Sequence, residues 1–405
     1  MTAGSADRLR SLLTPRARST LDRSGYGSWR AIAGADAVSL AFGFPSPDAL
    51  PIEALSNSVD AVLDDEGAQA LQYGGGRYAD RLESWVETRA LDRGIDLDSR
   101  SVLLTNGATH ALDSTCRAFL EPGDVVAVEA PTFMGSIRVF ENFGVDVVGT
   151  PLDEAGLDVE VLADRLDRRR REGRPIPKLV YTIPNFQNPT GATLPRDRRE
   201  RLLELAERFD FAIVADDAYG DLRYAGDPEP PLAALDDDGR VIRIESFAKT
   251  IAPGVRLGWL VAPTPIREAI GALAAGGTNT FTRSAVGHYC TEGAFDAALP
   301  DLRAAYAKRR DRLLAALDRT MPPEATWSEP DGGFFVWLEL PATVDTGDLL
   351  DAAIDAGVTF LPGSTFYPDD RGANALRLSF SYAGPAEIEA GIEALGAAID
   401  EYERA

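Results

Sequence analysis

Between residues 101 and 262 short β-branched runs alternate with longer helical patterns, and this alternation restricts the chain to few folds. Ser101–Thr105, Val125–Glu129, Val145–Thr150, Leu179–Thr182, Ala212–Ala215 and Val241–Glu245 read as strands. Helical patterns ending near Leu120 and spanning Phe133–Phe143, Val159–Arg171 and Asp197–Phe209 fall between them. Such alternation predicts an α/β fold with a mostly parallel sheet covered on both faces, because parallel neighbours need a crossover. Leu257–Ala262 follows too closely for a crossover helix and is expected to pair antiparallel. After Pro265 alanine-rich helical stretches run to about Thr320, with a long helix predicted over Leu302–Leu317. A smaller α+β set follows: strands Phe334–Leu340 and Leu376–Ser379, helices Thr346–Ala356 and Pro385–Tyr402. The expected division is a large domain over 46–290 and a small one over 291–405, joined by the N-terminal segment 1–45.

Charge and composition exclude several function classes. The net charge of −23 would repel a phosphate backbone, which argues against a nucleic-acid partner. An acidic, lysine-poor surface resembles proteins adapted to high salt, and a merely acidic cytosolic enzyme fits equally well. No run approaches the roughly 18 apolar residues of a membrane span, and residues 1–10 lack a signal-peptide core. Cys116 and Cys290 sit in apolar or helical contexts and read as reduced and buried, which points to the cytoplasm. His110 and His288 are the only histidines, so a zinc-type cluster cannot be assembled and a Ser-His-Asp triad is poorly supported.

The chemistry is better sought in lysine. It occurs three times, at 178, 249 and 308, against 38 arginines. A chain that uses arginine for nearly every cationic task has little reason to place Lys249 for charge alone. Lysine can lose its proton and form a Schiff base, which arginine cannot. Lys249 follows Ser246 directly after a predicted strand, and ligands of parallel sheets gather beyond the carboxyl ends of strands. Gly107-Ala108-Thr109, Asn188 in Asn185–Gly191, Asp216 and Arg256 fall at comparable places. Each alone has a bland reading as a turn, a loop carboxylate or a surface cation. Together they offer an anion cradle at a helix start, an amide, a carboxylate and an amine, which suits an aldehyde cofactor bearing a phosphate, pyridoxal phosphate.

The chain resembles a fold-type I pyridoxal-phosphate aminotransferase of class I/II. The likeness is to the branch with aminoadipate- and kynurenine-type enzymes and the effector domains of MocR-like regulators. Matching stretches run in family order from Leu40–Pro45 through Asn106–Leu112, Glu129–Phe133, Asn185–Gly191, Asp216–Tyr219, Ser246–Gly258 and Gly332–Trp337 to Leu376–Phe380. The resemblance implies a seven-stranded, mostly parallel sheet in the large domain. It implies that Lys249 carries the cofactor as an imine, that Asp216 faces the pyridine nitrogen, and that Asn188 and Tyr219 bond the ring's phenolic oxygen. Phe133 would stack on the ring; Gly107, Ala108, Thr109, Ser246 and Arg256 would hold the phosphate. Arg377 would grip the substrate α-carboxylate, with Gly43 and Asn188 beside it. Tyr73 would reach the phosphate of a partner subunit, since family sites are shared across a homodimer.

Two departures stand out. The loop Gly74-Gly75-Gly76-Arg77 after Tyr73 is shorter than usual, and Ala248 replaces the serine often found before the lysine. Arg283 could in principle meet an acidic substrate side chain, but it is read as a surface or phosphate-side residue. The resemblance implies transfer of an amino group from an α-amino acid to a 2-oxo acid, 2-oxoglutarate being expected. A pyridoxal-phosphate lyase on the same fold and a non-catalytic cofactor sensor are the rival readings. A sensor of that kind carries a DNA-binding module before its effector domain, and only about 40 residues precede Gly43.

Overall fold

A computed structural model describes residues 9–14, 17–18, 37–274 and 276–404. Most of the N-terminal segment 1–45 therefore lies outside the described residues. The central sheet runs, edge to edge, Arg100–Thr105, Gly258–Pro263, Val241–Ser246, Ala212–Asp216, Leu179–Thr182, Val125–Ala130 and Asp146–Asp153. The expected seven strands are present, and the two-residue strand Gly156–Leu157 folds back on the last of them as an eighth. Gly258–Pro263 is antiparallel to both neighbours, and the other long strands pair parallel.

Both faces of the sheet are covered because its strands are apolar on both. Val126, Val128, Tyr181 and Val214 pack with Ala111, Leu112 and Phe140 of the helices Ala108–Phe119 and Met134–Phe143. Ala127, Val180, Ile213 and Ala215 pack on the opposite face with Leu162, Leu166, Leu202 and Leu205 of Val159–Arg171 and Arg196–Phe209. Asp158 starts the first of these helices by accepting from the Val161 amide at 2.9 Å, leaving its arginine-rich end for solvent.

The C-terminal part forms a four-stranded antiparallel sheet in the order Thr326–Trp327, Phe335–Glu339, Ala375–Ser379, Leu361–Pro362. Thr346–Ala356 and Pro385–Tyr402 pack with it. Val38–Ser39 pairs with Val358–Thr359, which ties residues just before Gly43 to this part. The long helix is Ala294–Thr320 and starts eight residues earlier than its pattern suggested. Pro300 lies inside it at the seventh position, past the first turn, so the helix forgoes one backbone hydrogen bond there. Phe295 and Leu299 of this helix pack under the large sheet, whereas Leu313 and Leu317 pack with the C-terminal elements. One rigid element thus spans both parts.

Helix Thr280–Thr291 packs against Arg77–Asp92 at close range, and Gly287 makes that approach feasible. A Cβ at 287 would run into the Tyr78 carbonyl, which is backbone and cannot swing aside. Gly287→Ala is expected to cost about 1–3 kcal/mol through overpacking. Urea unfolding would show the loss as a lowered midpoint with an unchanged slope; an unaltered midpoint would refute the close contact.

Candidate active site

The strand ends converge on one cavity of about 490 Å³. Asp216 ends its strand there, and Lys249 follows the strand Val241–Ser246 by three residues. Ala108 and Thr109 contribute the start of a helix, and Phe133, Asn188, Tyr219, Ser246 and Arg256 complete the large-sheet side. Phe335 and Arg377 close the cavity from the smaller sheet, and Gly43 from the segment whose Leu40 carbonyl accepts from the Ser379 amide of that sheet. Gly107 stands just behind the wall with φ of +87°, and a Cβ there would lie 3.2 Å from Arg256 Nη2, so the guanidinium would have to give way. Tyr73 is elsewhere. It is fully exposed, in a groove with Gly277, Thr280 and Arg283.

Lys249 Nζ donates to the Gly43 carbonyl at 2.9 Å. Burial lowers the lysine to about 8; Arg377 and Arg256 push in the same direction, while Asp216 pulls back. A substantial share of the amine is therefore neutral near physiological pH. Burial also raises Asp216, to about 6, against a hydrogen bond from Tyr181, whose hydroxyl donates to Oδ2 at 2.8 Å. The other oxygen, Oδ1, is buried and has no partner in the chain.

Asp217 is adjacent in sequence, but strand alternation sends it to the opposite face. Arg243 Nη2 meets its carboxylate at 2.6 Å and Asn185 Nδ2 at 2.7 Å. Burial opposes ionisation there, yet Arg243 and Arg93 outweigh it and hold Asp217 below the usual carboxylate range. Two neighbouring aspartates thus have separate environments, one compensated and one with a free oxygen facing the cavity.

Arg377 is 3% exposed and stacks over Phe335, its Cζ 4.0 Å from the ring centroid. Its Nη1 donates to Asn188 Oδ1 at 3.0 Å and its Nη2 to the Ala41 carbonyl at 2.6 Å, while Nε is buried without a partner. Burial brings its pKa down to about 9, opposed by Tyr219. Ser246 Oγ donates to the Leu257 carbonyl and accepts from the Ala248 amide, so a hydroxyl at 248 is not needed to order this turn.

Tyr181 and Phe335 were not singled out from sequence. Tyr181 had a readable signal, a phenolic hydroxyl in the buried strand Leu179–Thr182 whose polar tip must find a partner. Phe335 lay in a matched stretch, but nothing in its spacing ties it to Arg377.

The family model of aminotransferase class I and II matches residues 38–395. The chain belongs to this family. It is 39% identical over 373 residues to an aromatic-amino-acid aminotransferase of Thermococcus litoralis, a match covering 90% of this chain and 88% of that one. A multiple substrate aminotransferase from Thermococcus profundus superimposes with a TM-score of 0.93 at 34% identity, covering 98% of this chain and all of that one. An α-aminoadipate aminotransferase from Thermus thermophilus, solved with N-(5'-phosphopyridoxyl)-L-leucine, gives 0.87 at 31% identity and covers 98% and 99%. The chain is an aminotransferase with pyridoxal 5'-phosphate as cofactor. No helix among the described residues is long and apolar enough to cross a membrane.

The cavity fits that cofactor on its own terms. The unpartnered Asp216 Oδ1 suits a ring N–H donor, and the helix start at Ala108 beside Arg256 suits a phosphate.

The lowered Lys249 pKa gives a direct expectation. In the cofactor-free chain, acylation of Lys249 followed on its own peptide by mass spectrometry should rise with pH about a midpoint near 8. Arg377→Met should move that midpoint upward, because removing a neighbouring positive charge favours the ammonium form. A midpoint at the ordinary 10.5 in the unaltered chain would contradict the burial argument.

Proposed function

We propose that this aminotransferase takes its amino group from an aromatic α-amino acid and passes it to 2-oxoglutarate. The observation that supports the reading most is the charge pattern of the cavity. Arg138, Lys249, Arg256 and Arg377 line it against a single carboxylate, Asp216, in a chain of net charge −23. Such a pocket calls for anions, a phosphate at one end and a carboxylate at the other. The rim favours aromatic donors: Phe44 lines the cavity and stacks on Phe42 at 5.2 Å, with Tyr382 edge-on to Phe42. The similar Thermococcus litoralis protein is named for aromatic amino acids, and the Thermococcus profundus one for multiple substrates.

When bound, the cofactor supplies an aldehyde to carry the amino group and a ring to receive the electrons of the breaking Cα–H bond. The remaining work falls to the chain. Lys249 would hold the cofactor, and its neutral amine is the base placed to take the Cα proton. The Gly43 carbonyl orients that amine and brings its own backbone beside the substrate. Asp216 Oδ1 accepts from the pyridine nitrogen and favours its protonated form. Asn188 and Tyr219 bond the phenolic oxygen, and Phe133 covers the ring face and excludes water. Gly107, Ala108, Thr109, Ser246 and Arg256 hold the phosphate, the glycine by leaving space for Arg256. Arg377 grips the α-carboxylate through its guanidinium edge.

Tyr73 acts in the site of a second copy, so the working unit is a homodimer. Its full exposure in one chain and the neighbouring groove are consistent with burial against a partner. Residues 46–290 form the cofactor-holding domain and 291–405 the smaller one, which carries Arg377. The acidic, lysine-poor surface suits a cytoplasm of high salt.

Initial rates at several donor and 2-oxoglutarate concentrations should give parallel double-reciprocal lines, as a two-stage transfer requires. Steady product release with no 2-oxo acid present would instead indicate a lyase. Arg377→Ala should lower kcat/KM for aromatic amino acids on the order of 100-fold, the worth of a lost charged hydrogen-bond pair. It should lower the slow reaction with the matching amine, which has no carboxylate, far less; equal losses on both would remove Arg377 from substrate binding.

A further inference from the structure

Glu129 belongs to the strand Val125–Ala130, is 1% exposed and does not line the cavity. The ladder pairs Val128 with Tyr181, so Glu129 and Thr182 fall side by side on the face opposite Tyr181. A buried carboxylate is costly unless its lone pairs are occupied. Here the hydroxyl of Thr182 donates to Oε1, the Ile183 amide lies 3.2 Å from both oxygens, and Gln187 Nε2 donates to Oε2 at 3.0 Å.

These contacts commit Gln187 at both ends. Its Nε2 also donates to the Pro131 carbonyl at 2.9 Å, and its Oε1 accepts from the Thr190 amide at 2.9 Å and the Thr190 hydroxyl at 2.8 Å. Because a carboxylate only accepts, Gln187 must turn its NH₂ toward Glu129 and its oxygen toward Thr190. Backbone bonds from Gly191 N to Gln187 O and from Gln187 N to Ala192 O close the loop. Asn188 sits within it, with its Oδ1 already accepting from Arg377.

We propose that Glu129 is a positioning residue for transamination, acting through Gln187 to fix the loop that presents Asn188 to the cofactor's phenolic oxygen and to Arg377. The proposal rests on the role given to Asn188 above. Burial raises the Glu129 carboxyl to about 7, against the pull of Thr182, Gln187 and Ile183, so these donors are what favour the ionised form in so enclosed a place. The carboxylate touches neither substrate nor cofactor. Its effect is on where an amide points.

The test is a pH titration of the visible absorbance of the cofactor-loaded enzyme, with Asn188→Ala as the direct control. Asn188→Ala and Glu129→Leu should both raise the midpoint, on the order of one unit, because a donor lost from an anionic oxygen favours the protonated form. Glu129→Gln keeps an acceptor toward Gln187 and can turn its amide to Thr182, so it should shift the midpoint less than half as far as Glu129→Leu. If Asn188→Ala moves the midpoint and Glu129→Leu does not, the positioning role is wrong while that of Asn188 stands. If neither moves it, Asn188 does not bond the cofactor and the proposal falls with that reading. Equal shifts in Glu129→Gln and Glu129→Leu would show that an acceptor toward Gln187 does not matter and would also overturn it. Should Glu129→Leu fail to fold, Gln187→Met cuts the same link at its other end; a raised midpoint supports the proposal and an unmoved one refutes it.

Discussion

An excess of positive charge in one enclosed place governs the architecture. Lys249, Arg256, Arg377 and Arg138 share a cavity with the lone carboxylate Asp216. Burial lowers the pKa of both Lys249 and Arg377, and at Lys249 the nearby Arg377 and Arg256 add to it, with no further acid brought in to offset them. On the proposed reading, a dianionic phosphate and a substrate carboxylate would provide the missing negative charge. The same imbalance that disfavours the empty cavity therefore favours the cofactor and substrate, and it keeps a usable fraction of Lys249 neutral.

The sheet makes this concentration of charge possible. Its parallel strands all deliver their ends to one edge, and the antiparallel Gly258–Pro263 begins at that edge with Arg256 just before it. Strand alternation then sorts the two neighbouring aspartates. Asp217 turns to the far face and is neutralised by Arg243, which also pairs with Glu245, itself bound by Arg93. Asp216 stays on the cavity side with one oxygen free. A buried network behind the sheet thus neutralises one carboxylate and leaves its neighbour with an oxygen free toward the cavity.

Much of this was legible in the sequence, for identifiable reasons. Val159–Arg171, Leu179–Thr182, Thr346–Ala356 and Pro385–Tyr402 have the predicted bounds because caps, prolines and apolar periodicity coincide at their ends. The antiparallel strand was readable from the shortness of its connection. The cavity lining was readable because its residues follow strands directly. What escaped notice depends on distance in the chain. Tyr181 meets Asp216 across 35 residues, Glu129 meets Gln187 across 58, and Arg377 meets Asn188 across 189. No local pattern encodes such pairs. The long helix begins eight residues before the Leu302 start that its pattern suggested, where Phe295 and Leu299 pack beneath the sheet.

The central claim is that one amine among three lysines holds the cofactor covalently. Reduction of the cofactor-loaded chain with borohydride, followed by digestion and mass spectrometry, measures this directly. The expected result is a single pyridoxyl adduct on the Lys249 peptide, with those of Lys178 and Lys308 unmodified. An adduct confined to another lysine, or no adduct on a chain that has bound the cofactor, would contradict it.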